Sequence, residues 1–130
     1  MTYKMKEQAE FRLDRHQIVP FLLTEWELPI AQLTLTTSKP GCNVRLTFEI
    51  GWSKPITADL GEMEIVIRAS SSSGPELFRI SEMCHWHAMM TMDCDVAAQE
   101  AGAHTYWLNA CSAGRRAILD GPVIMRAIVL

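Results

Sequence analysis

The densest set of metal-ligating side chains in the sequence is Cys84-His85-Trp86-His87. On a strand, residues i and i+2 share a face, so His85 and His87 could offer two imidazoles to one ion. Cys84 and His104 are the remaining candidate ligands. The competing reading is two semi-exposed strand histidines beside a packed Trp86, and it is the expectation here, with no metal and no cofactor. Asp93 and Asp95 also share a face, a pairing that could serve calcium or glycoside hydrolysis. Charged side chains are mostly solvated, so a polar outer face is expected instead. Nucleophilic catalysis would need Ser or Cys with a His and an orienting acid, and no G-x-S-x-G elbow is present. The serines Ser70 to Ser73 read as loop. His104 follows Ala101-Gly102-Ala103 at a strand entry, where its ring is expected to bond a nearby backbone group.

An H-x-H pair on a β-sandwich is also the ligand pattern of the cupins, which are metal-binding jelly rolls. Their first motif needs Glu four or five residues after the second His, and those places hold Thr91 and Met92. Their second motif needs Gly three before its His and Asn four after. Around His104 the nearest candidates, Gly102 and Asn109, are spaced two and five. A cupin-like metal enzyme is therefore the least favoured reading, and the chain is expected not to be an enzyme.

The elements that must position these residues are strands. Ala31, Leu33 and Leu35 alternate with polar neighbours, and Cys42, Val44, Leu46, Phe48 and Ile50 alternate with Asn43, Arg45, Thr47 and Glu49. Met63, Ile65 and Ile67 continue the pattern, then Met90, Met92, Cys94 and Val96, then Tyr106, Leu108 and Ala110. This period of two is that of strands with one buried face. A short strand is expected at Leu77 to Ile80, and a last one, almost wholly apolar, at Val123 to Leu130. Gly, Pro and Ser clusters punctuate the chain about every ten residues, as in an all-β sandwich or barrel. The expectation is an all-β jelly-roll sandwich of about eight antiparallel strands over 18–130. Residues 1–17 are expected to form an extended N-terminal arm before it, although Tyr3 to His16 could also fit a short amphipathic helix.

The chain has 130 residues, 12 Lys plus Arg against 15 Asp plus Glu, and 48% hydrophobic residues. One domain is the prior at this length, and a disordered chain is excluded by the hydrophobic content. Net charge −3 argues against a nucleic-acid partner or a polybasic membrane anchor. No apolar run approaches the ~18 residues of a spanning helix, so no membrane insertion is expected. The polar start from Met1 to His16 predicts no signal peptide. The four cysteines, Cys42, Cys84, Cys94 and Cys111, include no C-x-x-C pair and read as reduced apolar groups. Cross-linking at an extracellular surface is the alternative. The alternation turns Cys42 and Cys94 inward and Cys111 outward, so Cys111 is the candidate for an intermolecular disulfide.

Trp107 also points away from Tyr106 and Leu108, and an outward Trp calls for a partner surface or a stacked sugar. A final strand apolar on both faces belongs in the middle of a sandwich or against another subunit. The expected oligomer interface is accordingly Trp107, Val123, Met125, Ile128 and Leu130. A carbohydrate- or receptor-binding module using Trp52, Trp86 or Trp107 is the alternative function.

The segments Phe48-Glu49-Ile50-Gly51-Trp52, Ile65-Val66-Ile67-Arg68 and Asp93-Cys94-Asp95-Val96 form an ordered series. It continues with Ala101-Gly102-Ala103-His104-Thr105-Tyr106-Trp107-Leu108 and Gly121-Pro122-Val123. Over roughly 42–130 the series resembles the tumour necrosis factor-like jelly rolls of exosporium and spore-coat proteins in spore-forming Firmicutes. The resemblance implies a non-catalytic subunit that assembles as a trimer or a larger array. It implies a location on the spore or cell surface after mother-cell release, and partners that are copies of itself, other spore-surface proteins or glycans. The related endospore appendage subunits form fibres cross-linked by cysteines in an N-terminal arm. This chain departs from them, because no cysteine precedes Cys42.

Overall fold

A computed structural model describes residues 7–130. Nine strands follow in order: β1 (Gln8–Leu13), β2 (Phe21–Leu22), β3 (Leu28–Thr37), β4 (Cys42–Ser53), β5 (Gly61–Ala69), β6 (Glu76–Cys84), β7 (His87–Ala98), β8 (Gly102–Cys111) and β9 (Ile118–Val129). The only helical element among the described residues is a single turn at Arg15–Gln17. The strands form two sheets, ordered β1-β9-β4-β7 and β3-β8-β5-β6, with the short β2 pairing β9 beyond the end of β1. Every pairing is antiparallel.

This connectivity is that of a jelly roll. Taking β1, β3 and β4 to β9 as its eight strands, the chain crosses between sheets at every connection except β5–β6. Two four-stranded sheets of interleaved Greek keys result. The count of about eight strands holds, with β2 as a two-residue addition.

The period-two pattern fills the space between the sheets. Val44, Leu46, Phe48, Ile50 and Trp52 from β4 are buried against Met63, Ile65 and Ile67 from β5. Ala31, Leu33 and Leu35 from β3 and Tyr106, Leu108 and Ala110 from β8 complete the second inner face. The apolar C-terminal strand resolves in favour of the sandwich interior: β9 runs between β1 and β4. Val123 and Met125 are therefore core residues of their own molecule and not oligomer interface. Leu130 is exposed beyond the end of β9, and Ile128 is half-buried on the outer face.

The expected N-terminal arm is corrected in part. Its residues 8–13 pair from Gln8↔Ile128 to Leu13↔Val123, so β1 is an edge strand of the jelly roll. Its residues 1–6 lie outside the described residues. The sequence pattern hid β1 because the apolar positions Ala9, Phe11 and Leu13 are only half-buried at an edge, between charged Glu10 and Arg12.

One end of the sandwich carries the connections 14–27, 54–60, 85–86 and 112–117, and is called the loop end below. The other end carries 38–41, 70–75 and 99–101.

Candidate functional site

The strand order separates the expected metal ligands. Cys84 and His87 border the β6–β7 turn at the loop end, while His104 pairs with Leu35 near the opposite end. His85 and Trp86 form the turn itself, so His85 and His87 do not share a strand face. The His104 ring donates from Nε2 to the Glu100 carbonyl at 2.7 Å and lies 3.3 Å from the Thr37 hydroxyl. Among the described residues, no three His, Cys, Asp or Glu side chains gather as a metal site.

Asp95 is taken up by an ion pair. The Arg45 guanidinium donates to both its oxygens, at 2.9 and 3.1 Å, and holds its carboxyl below the usual carboxylate range. Asp93 stays exposed beside it. Arg126, Glu10 and Glu49 extend this polar outer face of the β1-β9-β4-β7 sheet.

All four thiols are free. Cys111 lies on the outward face of β8 as the alternation requires, yet it is buried beside Glu64. Burial, helped by the Glu64 charge, pushes its thiol up to about 11. A buried, protonated thiol is a poor partner for a neighbouring subunit, so Cys111 does not suit the intermolecular disulfide expected of it. Cys94 is likewise pushed to about 11 by burial.

The outward face of β8 is covered by its own chain. The 70–75 loop folds back along the sheet, and the 23–27 segment arrives from the loop end. Arg68 on β5 joins them: Nε and Nη2 donate to the two Glu27 oxygens at 2.9 and 2.7 Å, and Nη1 donates to the Gly74 carbonyl at 3.0 Å. Asn109 on β8 lies beneath, with Nδ2 donating to Glu27 at 3.0 Å and to the Ser72 carbonyl at 2.9 Å. Its Oδ1 is buried without a partner, as is the indole N–H of half-buried Trp107. The serine loop is thus fastened at two carbonyls.

The bonds from Arg68 hold the Glu27 carboxyl down to about 2, below its ordinary 4.5, with Asn109 assisting and burial opposing. The unfolded chain takes up that proton first as pH falls. The stabilisation is complete above about pH 4.5 and is lost between there and about pH 2. Glu27 is 27% exposed, so screening leaves a contribution of about 1–2 kcal/mol. The stability gap between wild type and Glu27→Gln is expected to narrow by that amount between about pH 6 and pH 2, measured by urea unfolding. A gap independent of pH would contradict the Glu27–Arg68 assignment.

The tryptophans divide. Trp52, a candidate for sugar stacking in the sequence, is buried, and its indole N–H donates to Glu82 at 2.8 Å. Trp86 is 76% exposed at the tip of the β6–β7 turn. Its backbone carbonyl accepts from the Lys54 N–H at 2.7 Å, and its ring meets the His87 ring edge-on, 5.4 Å between centroids. Lys54 in turn donates from Nζ to the Pro55 and Thr57 carbonyls, which fixes the 54–60 loop beside the turn. That loop presents Ile56, fully exposed, and Leu60. Met83 and Met89 flank the turn on the two outer faces and are exposed as well.

These belong to a larger asymmetry. Twelve large hydrophobic side chains are exposed among the described residues. Val19, Phe21, Leu22, Trp26, Leu28, Ile56, Leu60, Met83, Trp86 and Met89 lie at or beside the loop end, and only Leu77 and Leu130 lie elsewhere. Ten of the twelve thus lie toward one end of the sandwich, with Ile56, Leu60 and Trp86 on the 54–60 loop and the β6–β7 turn. The sequence alone could not gather them, since they come from connections far apart along the chain.

No family model and no curated protein matches the chain. Among solved structures, that of the infectious bursal disease virus Gx strain aligns at 7% identity and TM-score 0.43. The alignment covers 95% of this chain and 32% of that one, so this chain spans about a third of its length. A family 35 carbohydrate binding module from Clostridium thermocellum aligns at 13% identity and TM-score 0.39, over 92% of this chain and 98% of that one.

Proposed function

We propose that this protein is a non-enzymatic structural jelly roll that self-associates through its loop end as a component of a spore or cell surface. The observation that supports self-association is the exposed apolar cluster of Ile56, Leu60 and Trp86 on the 54–60 loop and the β6–β7 turn, flanked by Met83 and Met89. A second copy is the occupant, because an isologous contact covers the same patch on both molecules at once. The outer face of the β1-β9-β4-β7 sheet is a poorer candidate: its Arg45, Arg126, Glu10 and Asp95 are already paired in exposed ion bridges. Desolvating such bridges costs energy, whereas covering the patch gains roughly 25 cal/mol per Å² before association costs. The surface location follows the resemblance of the 42–130 series to spore-surface modules. A non-enzymatic role is supported by the separation of His104 from His85 and His87 and by the Arg45–Asp95 bridge.

Light scattering across micromolar to submillimolar concentration tests the proposal. A mass of at least twice 14.7 kDa is expected. A constant monomer mass throughout would overturn it.

A further inference from the structure

We propose that the cleft between the 23–27 segment and the 70–75 loop, on the outer face of the β3-β8-β5-β6 sheet, binds a neutral sugar residue, with Trp26 as its stacking wall and Arg68 as its polar base. The cleft has a volume of about 430 Å³ and is lined by Trp26, Glu27, Pro29, Arg68, Ser72 and Ser73. That size lies within the usual range for small-molecule sites.

Trp26 is 75% exposed, yet the backbone carrying it is held on both sides. The Thr24 carbonyl accepts from the Ser112 N–H at 2.8 Å, and Glu27 is clamped by Arg68. An indole exposed at the mouth of a cleft leaves a large apolar face without a partner. Opposite it the chemistry is polar and planar. Arg68 spends three of its N–H groups on Glu27 and Gly74, which leaves two for a ligand. Asn109, 1% exposed, ties Glu27 to Ser72 and keeps an unpartnered Oδ1 behind the clamp. Ser72 and Ser73 line the remaining wall.

Charge selects the ligand class. Glu27 and Arg68 neutralise each other within the cleft, so an anion finds no spare cation and a cation finds no spare carboxylate. Apolar lining is limited to Trp26 and Pro29, too little for a hydrophobic peptide. A pyranose ring meets both demands. Its C–H face packs on an indole, and its adjacent hydroxyls accept from a guanidinium and exchange hydrogen bonds with serine hydroxyls.

The site is independent of the self-association patch, and the test separates them. The full chain is screened on an array of neutral and acidic glycans, and the best neutral oligosaccharide is titrated by amide chemical-shift mapping. Saturable shifts at 24–27, 68 and 72–74 are expected, with Trp26→Ala weakening binding about tenfold or more and Trp86→Ala leaving it unchanged. Trp26 is exposed, so its replacement leaves the fold intact, as the unchanged spectrum of distant residues will show. Three results would each overturn the proposal: no neutral glycan bound at about 10 mM, binding confined to acidic glycans, or wild-type affinity in Trp26→Ala.

Discussion

Replacing Gly51 with alanine is expected to lower stability by at least about 3 kcal/mol, against a total of about 5–15 kcal/mol for a domain of this kind. Gly51 lies on β4 where the pairing with β9 shifts register, between Ile50↔Val123 and Trp52↔Leu119. A Cβ there would overlap the Gly121 carbonyl oxygen, lie 2.7 Å from the Gly121 carbonyl carbon and 3.2 Å from Pro122 Cδ. None of these atoms belongs to a flexible side chain. The added methyl group can be relieved only by parting β4 from β9, the two central strands of their sheet. The adjacent residues Ile50, Trp52 and Val123 are all core, so the displacement spreads into packing. Gly41→Ala is the control: a Cβ there meets nothing within 4 Å, and only its φ of +73° is unfavourable. Denaturant unfolding should show a large drop for the first variant and a loss near 1 kcal/mol for the second. Equal, small losses would contradict the β4–β9 register.

The second large effect concerns association. Trp86→Asp is expected to raise the self-dissociation constant at least about 30-fold, the effect of losing a hot-spot tryptophan worth about 2 kcal/mol. It should leave the melting temperature of the monomer nearly unchanged, because Trp86 is 76% exposed at the tip of a turn. Adding Ile56→Asp should complete the conversion to monomer. Two carboxylates facing their own copies across an isologous contact repel as well as remove apolar area. Trp107→Ala is the comparison, since Trp107 is half-buried between Gln32 and Arg68 of its own sheet. Sedimentation of the variants reads the difference. Undiminished association in the double variant would remove the 54–60 loop and the β6–β7 turn from the contact.

The fold was largely legible in the sequence because alternation over Cys42 to Ile50, Met90 to Val96 and Tyr106 to Ala110 is a direct imprint of one buried face. What alternation could not convey was which buried face. Val123 and Met125 look alike whether they meet a partner or the opposite sheet, and only the position of β9 between β1 and β4 decides it. Cys111 and Asn109 sit on the outward side as alternation requires, but the 70–75 loop and Glu27 come back over Asn109, and Glu64 lies against Cys111. Their burial is a tertiary fact with no local signature. The candidate surface was less legible still. Trp86 was visible as an aromatic in a histidine-rich segment, whereas Ile56 and Leu60 carried no pattern at all. Their significance lies in two connections meeting at one end of a jelly roll, which depends on topology and not on spacing.

Concentration-dependent hydrogen exchange tests the central claim most directly, because it locates the contact as well as detecting it. On passing from dilute to concentrated protein, added protection is expected at residues 54–60 and 83–89 and nowhere on β1 or at 128–130. Protection gained at β1 or the C-terminal residues instead, or no change anywhere, would contradict self-association through the loop end.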